Sequence, residues 1–102
     1  MVHVIASVRI KPGRLDEFLE LLKSITRTVR AEKGCIRYVP TVDIASGLPP
    51  QVLDANLVTL IEAWESLEAL RNHLATPHMA FFFEKRKGMV EGGSSLKVLQ
   101  EA

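Results

Sequence analysis

Residues 57–83 read LVTLIEAWESLEALRNHLATPHMAFFF, a strand pattern that runs straight into two helical patterns carrying two histidines. Side chains alternate along extended backbone, so Val58, Leu60, Glu62 and Trp64 share one face of the strand and Leu57, Thr59, Ile61 and Ala63 the other. Neither set reads as a water face. A strand apolar on both sides needs cover on both sides, and the helical segments legible in this chain suffice for one. The second cover is expected to be another copy of the chain. After the strand, Glu65-Ser66 opens a helix with Ser66 as its cap, and Ala69 leaves the capping box incomplete. Leu67, Leu70 and Leu74 form its expected buried stripe. Thr76-Pro77 restarts helix, the threonine capping and the proline in the first position, and the pattern runs to about Lys87 before Gly88.

Upstream, Val2 to Ile10 alternates and is rich in β-branched residues, which predicts a first strand. Lys11-Pro12-Gly13 turns the chain. Leu15, Phe18, Leu19, Leu22, Ile25 and Val29 then recur at helical spacing, with Asp16 and Glu17 in the first turn, where the helix dipole favours negative charge. Gly34 suits the left-handed position that ends such a helix. Cys35 to Ile44 reads as a second strand, with Ile36 and Tyr38 facing away from Cys35, Arg37 and Val39. Its Pro40 places it at a sheet edge or a bulge, since proline cannot donate to the ladder. Residues 45–56 have loop composition, and Ser95 to Gln100 forms a short last strand. Strand, helix, strand, strand, helix, strand is the order of a ferredoxin-like split βαβ unit: an α+β fold, one antiparallel sheet with helices on one face.

The chain has 102 residues, which gives one domain spanning 1–102 with a single core and a stability of roughly 5–15 kcal/mol. A net charge of +1 with interspersed acids and bases argues against nucleic acid and anionic membrane as partners. One cysteine, Cys35, excludes an intrachain disulfide and a cysteine-based zinc site. No signal-like segment or membrane-length apolar run is present, and the expected location is cytoplasmic. There is no Gly-rich phosphate loop, dinucleotide fingerprint or hydrolase triad spacing.

The candidate chemistry gathers around the opening stretch. Glu62 shares its strand face with Leu60 and Trp64; burial there makes it a proton acceptor near neutrality, unless an arginine such as Arg37 or Arg86 of a partner chain satisfies it. Trp64 offers a flat wall to an aromatic ligand, or belongs to the core. His73 falls on the flank of the helix stripe. His78 sits at the second position of the next helix, whose positive end favours the neutral, proton-accepting imidazole. Either histidine can instead hold a helix corner. A metal site is disfavoured, because these histidines are five apart with Pro77 between them, unlike the i, i+4 pair that faces one ion. Tyr38 can offer its hydroxyl to a ligand oxygen or pack at the sheet edge. Phe81, Phe82 and Phe83 cannot all point one way, so one or two face a pocket, a partner or solvent; Phe82 and Leu60 are taken as lining residues.

The segments IASVRIKPGRLDEFLELLKSI, RAEKGCIRYVPTVD and LIEAWESLEALRNHLATPHM together resemble the antibiotic biosynthesis monooxygenase family, and within it the small bacterial quinol monooxygenases. Glu32, Gly34, Cys35, Tyr38, Glu62, Trp64, His73 and His78 match its pattern. The resemblance implies a homodimer whose two sheets close into an α+β barrel, with a pocket between sheet and helices. It also implies oxidation of a quinol or related polyphenol by O2 without flavin, haem or metal. Haem-degrading relatives place an asparagine on the first strand where Ala6 stands here. Polyketide-modifying members use one where Leu60 stands, so neither set is complete. The expectation is deprotonation by His73 or His78, with Glu62 sharing the proton, Tyr38 meeting the substrate oxygen and Trp64 stacking on the ring. The alternatives are a dimeric protein that binds a quinone or small aromatic without turnover, or an isomerase of a small oxygenated metabolite, which needs a cation inside the pocket.

Overall fold

A computed structural model describes residues 1–102. Its elements are β1 (Val2–Arg9), α1 (Leu15–Arg30), β2 (Cys35–Val42), β3 (Leu57–Trp64), α2 (Leu67–Leu74), α3 (Pro77–Lys85) and β4 (Ser95–Leu99). The four strands form one sheet in the order β2-β3-β1-β4, antiparallel throughout, which is the ferredoxin-like arrangement expected. Strand β3 begins and ends where its alternation does. Strand β2, carrying Pro40, is an edge strand.

One expectation for β2 needs correcting. Its register against β3 slips between Cys35 and Arg37, so that Cys35 pairs with Trp64 and Tyr38 with Glu62. Ile36 is the extra residue of a bulge, and Cys35 and Tyr38 therefore share the face of Trp64, which strict alternation forbids. That face is the covered one. Val4, Val8, Tyr38, Val58, Glu62 and Trp64 are buried beneath the helices, and Phe18, Leu22, Ile25 and Val29 of α1 pack from above. The opposite face carries Ile5, Val39 and Ile61 beside Ser7, Thr41 and Thr59, all partly exposed, with the Ser7 and Thr59 hydroxyls 3.1 Å apart.

The last helical region is two short helices. Ser66 Oγ accepts from the Ala69 N–H at the start of α2, and Thr76 Oγ1 accepts from the Met79 N–H at the start of α3, with Pro77 in the first turn as expected. The predicted stripe of α2 does not hold. Leu70 is buried, but Leu67 and Leu74 are 43% and 48% exposed, and the second buried position is His73. A helix of eight residues offers one i, i+3 pair to the core, and here a histidine takes half of it. After α3 the chain returns to the end of β1 through Lys11 N–H to Met89 O and Glu91 N–H to Arg9 O, at 2.8 Å each. No helix is long and apolar enough to cross a membrane.

Candidate active site

Gly34 seats the turn that follows α1. Its φ of +87° lies in the left-handed region, its carbonyl accepts from the Glu65 N–H at 2.8 Å, and the space where a Cβ would stand is filled by Ala69 of α2. This close approach carries Glu32, two residues earlier, to the end of α2. There Glu32 Oε2 accepts from His73 Nδ1 at 2.9 Å and from His78 Nε2 at 2.7 Å. On one continuous helix, residues five apart point roughly 140° away from each other. The break at Thr76-Pro77 removes that constraint. Thr76 Oγ1 donates to the His73 carbonyl at 2.8 Å, α3 sets off in a new direction, and both imidazoles converge on one carboxylate.

His73 is 2% exposed and held on two sides: the Trp64 ring lies 4.6 Å away at 33°, and Tyr38 meets it edge-on at 5.7 Å. Trp64 Nε1 donates to Glu62 Oε1 at 2.9 Å. Glu62 therefore has a partner within its own chain, two residues along. Trp64, expected to stack on a ligand, is wholly buried behind His73 and stacks on that ring instead.

Beneath the helices lies a cavity of about 200 Å³, lined mainly by apolar side chains. Tyr38, Leu60, Glu62, His73 and Phe82 all reach its wall; His78 and Trp64 do not. With Nδ1 engaged by Glu32, Nε2 is the His73 nitrogen left for a molecule in the cavity. The Tyr38 hydroxyl is buried and has no hydrogen-bond partner. A buried hydroxyl left without a partner costs about 1–3 kcal/mol. Burial, with Glu62 and Glu32 nearby, raises the Tyr38 pKa well above the phenol range, so the group stays a neutral O–H. Arg86 also lines the cavity, 4.8 Å from the Phe83 ring centre, and desolvation lowers its pKa. Sequence reasoning placed it only as a partner-chain counterion. Of the three phenylalanines, Phe82 is buried, Phe83 partly so, and Phe81 faces solvent.

Desolvation pushes the Glu62 carboxyl up, against the pull of the Trp64 N–H and of His73. The folded protein thus holds this proton to higher pH than the unfolded chain. The stability it contributes is complete below the ordinary glutamate value of about 4.3, and is lost as pH rises through the raised folded value. Glu62→Gln keeps an acceptor for Trp64 and removes the buried charge. Thermal melts are expected to place this variant above the wild type at pH 7, with the gap closing near pH 4. A variant that melts lower at pH 7 contradicts this reading.

The site thus sets a hydrogen-bonded Glu–His pair beside an apolar chamber between sheet and helices. The family described as Antibiotic biosynthesis monooxygenase matches residues 1–85. The chain belongs to the antibiotic biosynthesis monooxygenase family. Among relatives of this family member, the Escherichia coli K12 protein named Probable quinol monooxygenase YgiN is 40% identical over 96 residues, covering 88% of each chain. A crystal structure described as an antibiotic biosynthesis monooxygenase superposes with a TM-score of 0.86 at 25% identity, covering 100% of this chain and 99% of the other. A conserved protein from Methanosarcina mazei Go1 gives the same TM-score at 21% identity over 99% and 92% of the two chains, a likeness of fold.

Proposed function

We propose that this monooxygenase-family protein oxidises a quinol or related polyphenolic ring with O2, using only side-chain chemistry. The observation that carries the reading is the unpaired Tyr38 hydroxyl on the wall of an apolar cavity that His73 and Glu62 also line. About 200 Å³ falls below the roughly 300–1,000 Å³ typical of sites for drug-sized ligands, and suits one or two fused rings. A hydroquinone oxygen accepts from Tyr38 while its proton passes to His73 Nε2. The Glu32 carboxylate then stabilises the imidazolium through Nδ1–H, and Arg86 favours the quinolate over the neutral quinol. The quinolate is itself electron-rich enough to reduce O2, so the reading requires no flavin, haem or metal. Two balanced outcomes follow. Loss of two electrons and two protons to O2 gives quinone and hydrogen peroxide; transfer of one oxygen atom to the ring gives hydroxyquinone and water.

Trp64 and His78 act through others in this scheme, Trp64 by fixing the His73 ring and Glu62, His78 by holding Glu32. The half-exposed face of Ile5, Val39 and Ile61, together with a β4 exposed along its whole length, supports a dimer closed sheet to sheet. Sedimentation at micromolar concentration is expected to give twice the 11.4 kDa chain mass, and a monomer at that concentration argues against the paired sheets.

The test is oxygen uptake by metal-free protein given a reduced naphthoquinone, with catalase separating peroxide from water as product. Uptake above the autoxidation blank is expected. Tight quinone binding, read from quenching of Trp64, without turnover would favour the binding-protein reading. Arg86 lends one observation to the isomerase alternative, since it supplies the cation which that reading needs. Inorganic phosphate that competes with quinone would support it. Tyr38→Phe separates fold from function. Removing an orphan hydroxyl is expected to leave stability equal or higher, while quinone binding weakens about 3–10-fold for one lost hydrogen bond. Unchanged binding would remove Tyr38 from the site.

A further inference from the structure

Glu32 has a second side. Beyond it, towards solvent, opens a polar cleft lined by Glu32, Lys33, Glu65 and Glu68, separate from the apolar cavity that His73 faces. Three carboxylates against one ammonium make this cleft a path for cations. Glu32 links this cleft to His73 and His78, and the three donor atoms lie within 4.8 Å of one another. We infer that these three residues form a binding site for a first-row divalent transition-metal ion of the zinc class, entered from the cleft and not from the substrate cavity.

The donor set is two imidazole nitrogens and a carboxylate oxygen, which suits zinc and its neighbours and leaves positions open for water. Metal–ligand bonds of about 2.0–2.1 Å put tetrahedral donors roughly 3.3 Å apart. The imidazole nitrogens now stand 2.9 and 2.7 Å from Glu32 Oε2 and the three donors lie within 4.8 Å of one another, so entry of an ion requires the carboxylate oxygen to draw back by about half an ångström and the two rings to close together by up to about 1.5 Å. The exposures show which groups give way: the His78 and Glu32 side chains are 22% and 13% exposed, while His73 is fixed between Trp64 and Tyr38. The spacing objection from sequence weighed only two ligands on one helix face and counted Pro77 against them. Here the helix break aims both rings at a third residue from another element.

The chemistry of the bound form follows from which nitrogen is used. An ion on His73 Nδ1 leaves the neutral ring its proton on Nε2, so the nitrogen facing the cavity becomes a donor and can no longer accept a proton. The metal-loaded protein is therefore the form without a base. This consequence rests on the quinol reading; binding of the ion does not.

The experiment titrates untagged, chelator-treated protein with Zn2+ by calorimetry, and with Co2+ by visible absorption, whose d–d bands report nitrogen and oxygen ligands directly. One ion per chain is expected. His78→Ala, altered at a partly exposed side chain, is expected to weaken binding by at least the roughly 10–100-fold that losing even an outer hydrogen-bond partner costs a metal site. His3→Ala, at the exposed third histidine on β1, leaves binding unchanged. Should His78→Ala fold poorly, Glu32→Gln in the same titration serves instead, since it removes the one charged donor and keeps the shape. Binding that persists undiminished in both variants, or no wild-type binding at 100 µM ion, overturns the proposal. Zn2+ binding with oxidase activity unaffected would uphold the site and sink its link to the base, whereas loss of oxidase activity with no metal present bears only on the function reading.

Discussion

Replacing His73 with alanine is expected to slow quinol oxidation by about 10²–10⁴-fold, the usual worth of a positioned general base. The expectation rests on a division of labour between the two histidines. His73 reaches the cavity and shares Oε2 of Glu32 at 2.9 Å, while His78 reaches the same oxygen from the far side at 2.7 Å and does not line the cavity. His78→Ala removes one of two donors to Glu32 and leaves the base in place, so its loss of rate is expected to be much the smaller. Because His73 is also a packed ring, its removal leaves Trp64 unstacked. Near-UV circular dichroism confirms that each variant is folded before rates are compared. Equal losses in both variants, or a His73→Ala enzyme as fast as wild type, would take the base away from His73.

Gly34→Ala is expected to be the most disruptive change of a single methyl in the chain. A Cβ at this position meets the Ala69 Cβ at 2.6 Å, closer than real Cβ contacts come, and φ is +87°. A non-glycine residue in that region costs about 1–2 kcal/mol, and forcing a methyl into packed surroundings adds about 1–3 kcal/mol. A loss of about 2–5 kcal/mol lowers the melting temperature of a domain this size by roughly 10–30 °C. The same shift moves the α1–β2 turn off α2 and takes Glu32 away from the histidines, so activity should fall further than stability alone explains. A Gly34→Ala protein within a few degrees of wild type would mean that the turn is not held against α2 as described.

Much of this was legible because local rules and the fold agree. The alternation of Leu57–Trp64 names its own ends, and Ser66 and Thr76-Pro77 place two caps that the structure reproduces. Gly34 and Pro40 each mark a backbone requirement, an end of helix and an edge strand. What stayed hidden depended on contacts between distant residues. Glu32 is 41 and 46 residues from the histidines it joins, and in sequence it is one more acid after an amphipathic helix. Matching the family pattern was the single signal that could have raised it. The bulge at Ile36 has no glycine to announce it, so alternation put Cys35 and Tyr38 on opposite faces. Leu67 and Leu74 misled because a two-turn helix can bury only part of the stripe its pattern suggests. Arg86 lies past the last periodic residue of α3, where an arginine reads as surface, yet it turns inward over Phe82 and Phe83.

The crystal structure of the protein soaked with a naphthoquinone puts the central claim to the most direct test. The ring is expected in the cavity beneath α2 and α3, with one quinone oxygen within hydrogen-bonding distance of the Tyr38 hydroxyl and of His73 Nε2. A ring seated in the outer polar cleft, or one inside the cavity that leaves the Tyr38 hydroxyl still unpaired, would contradict it.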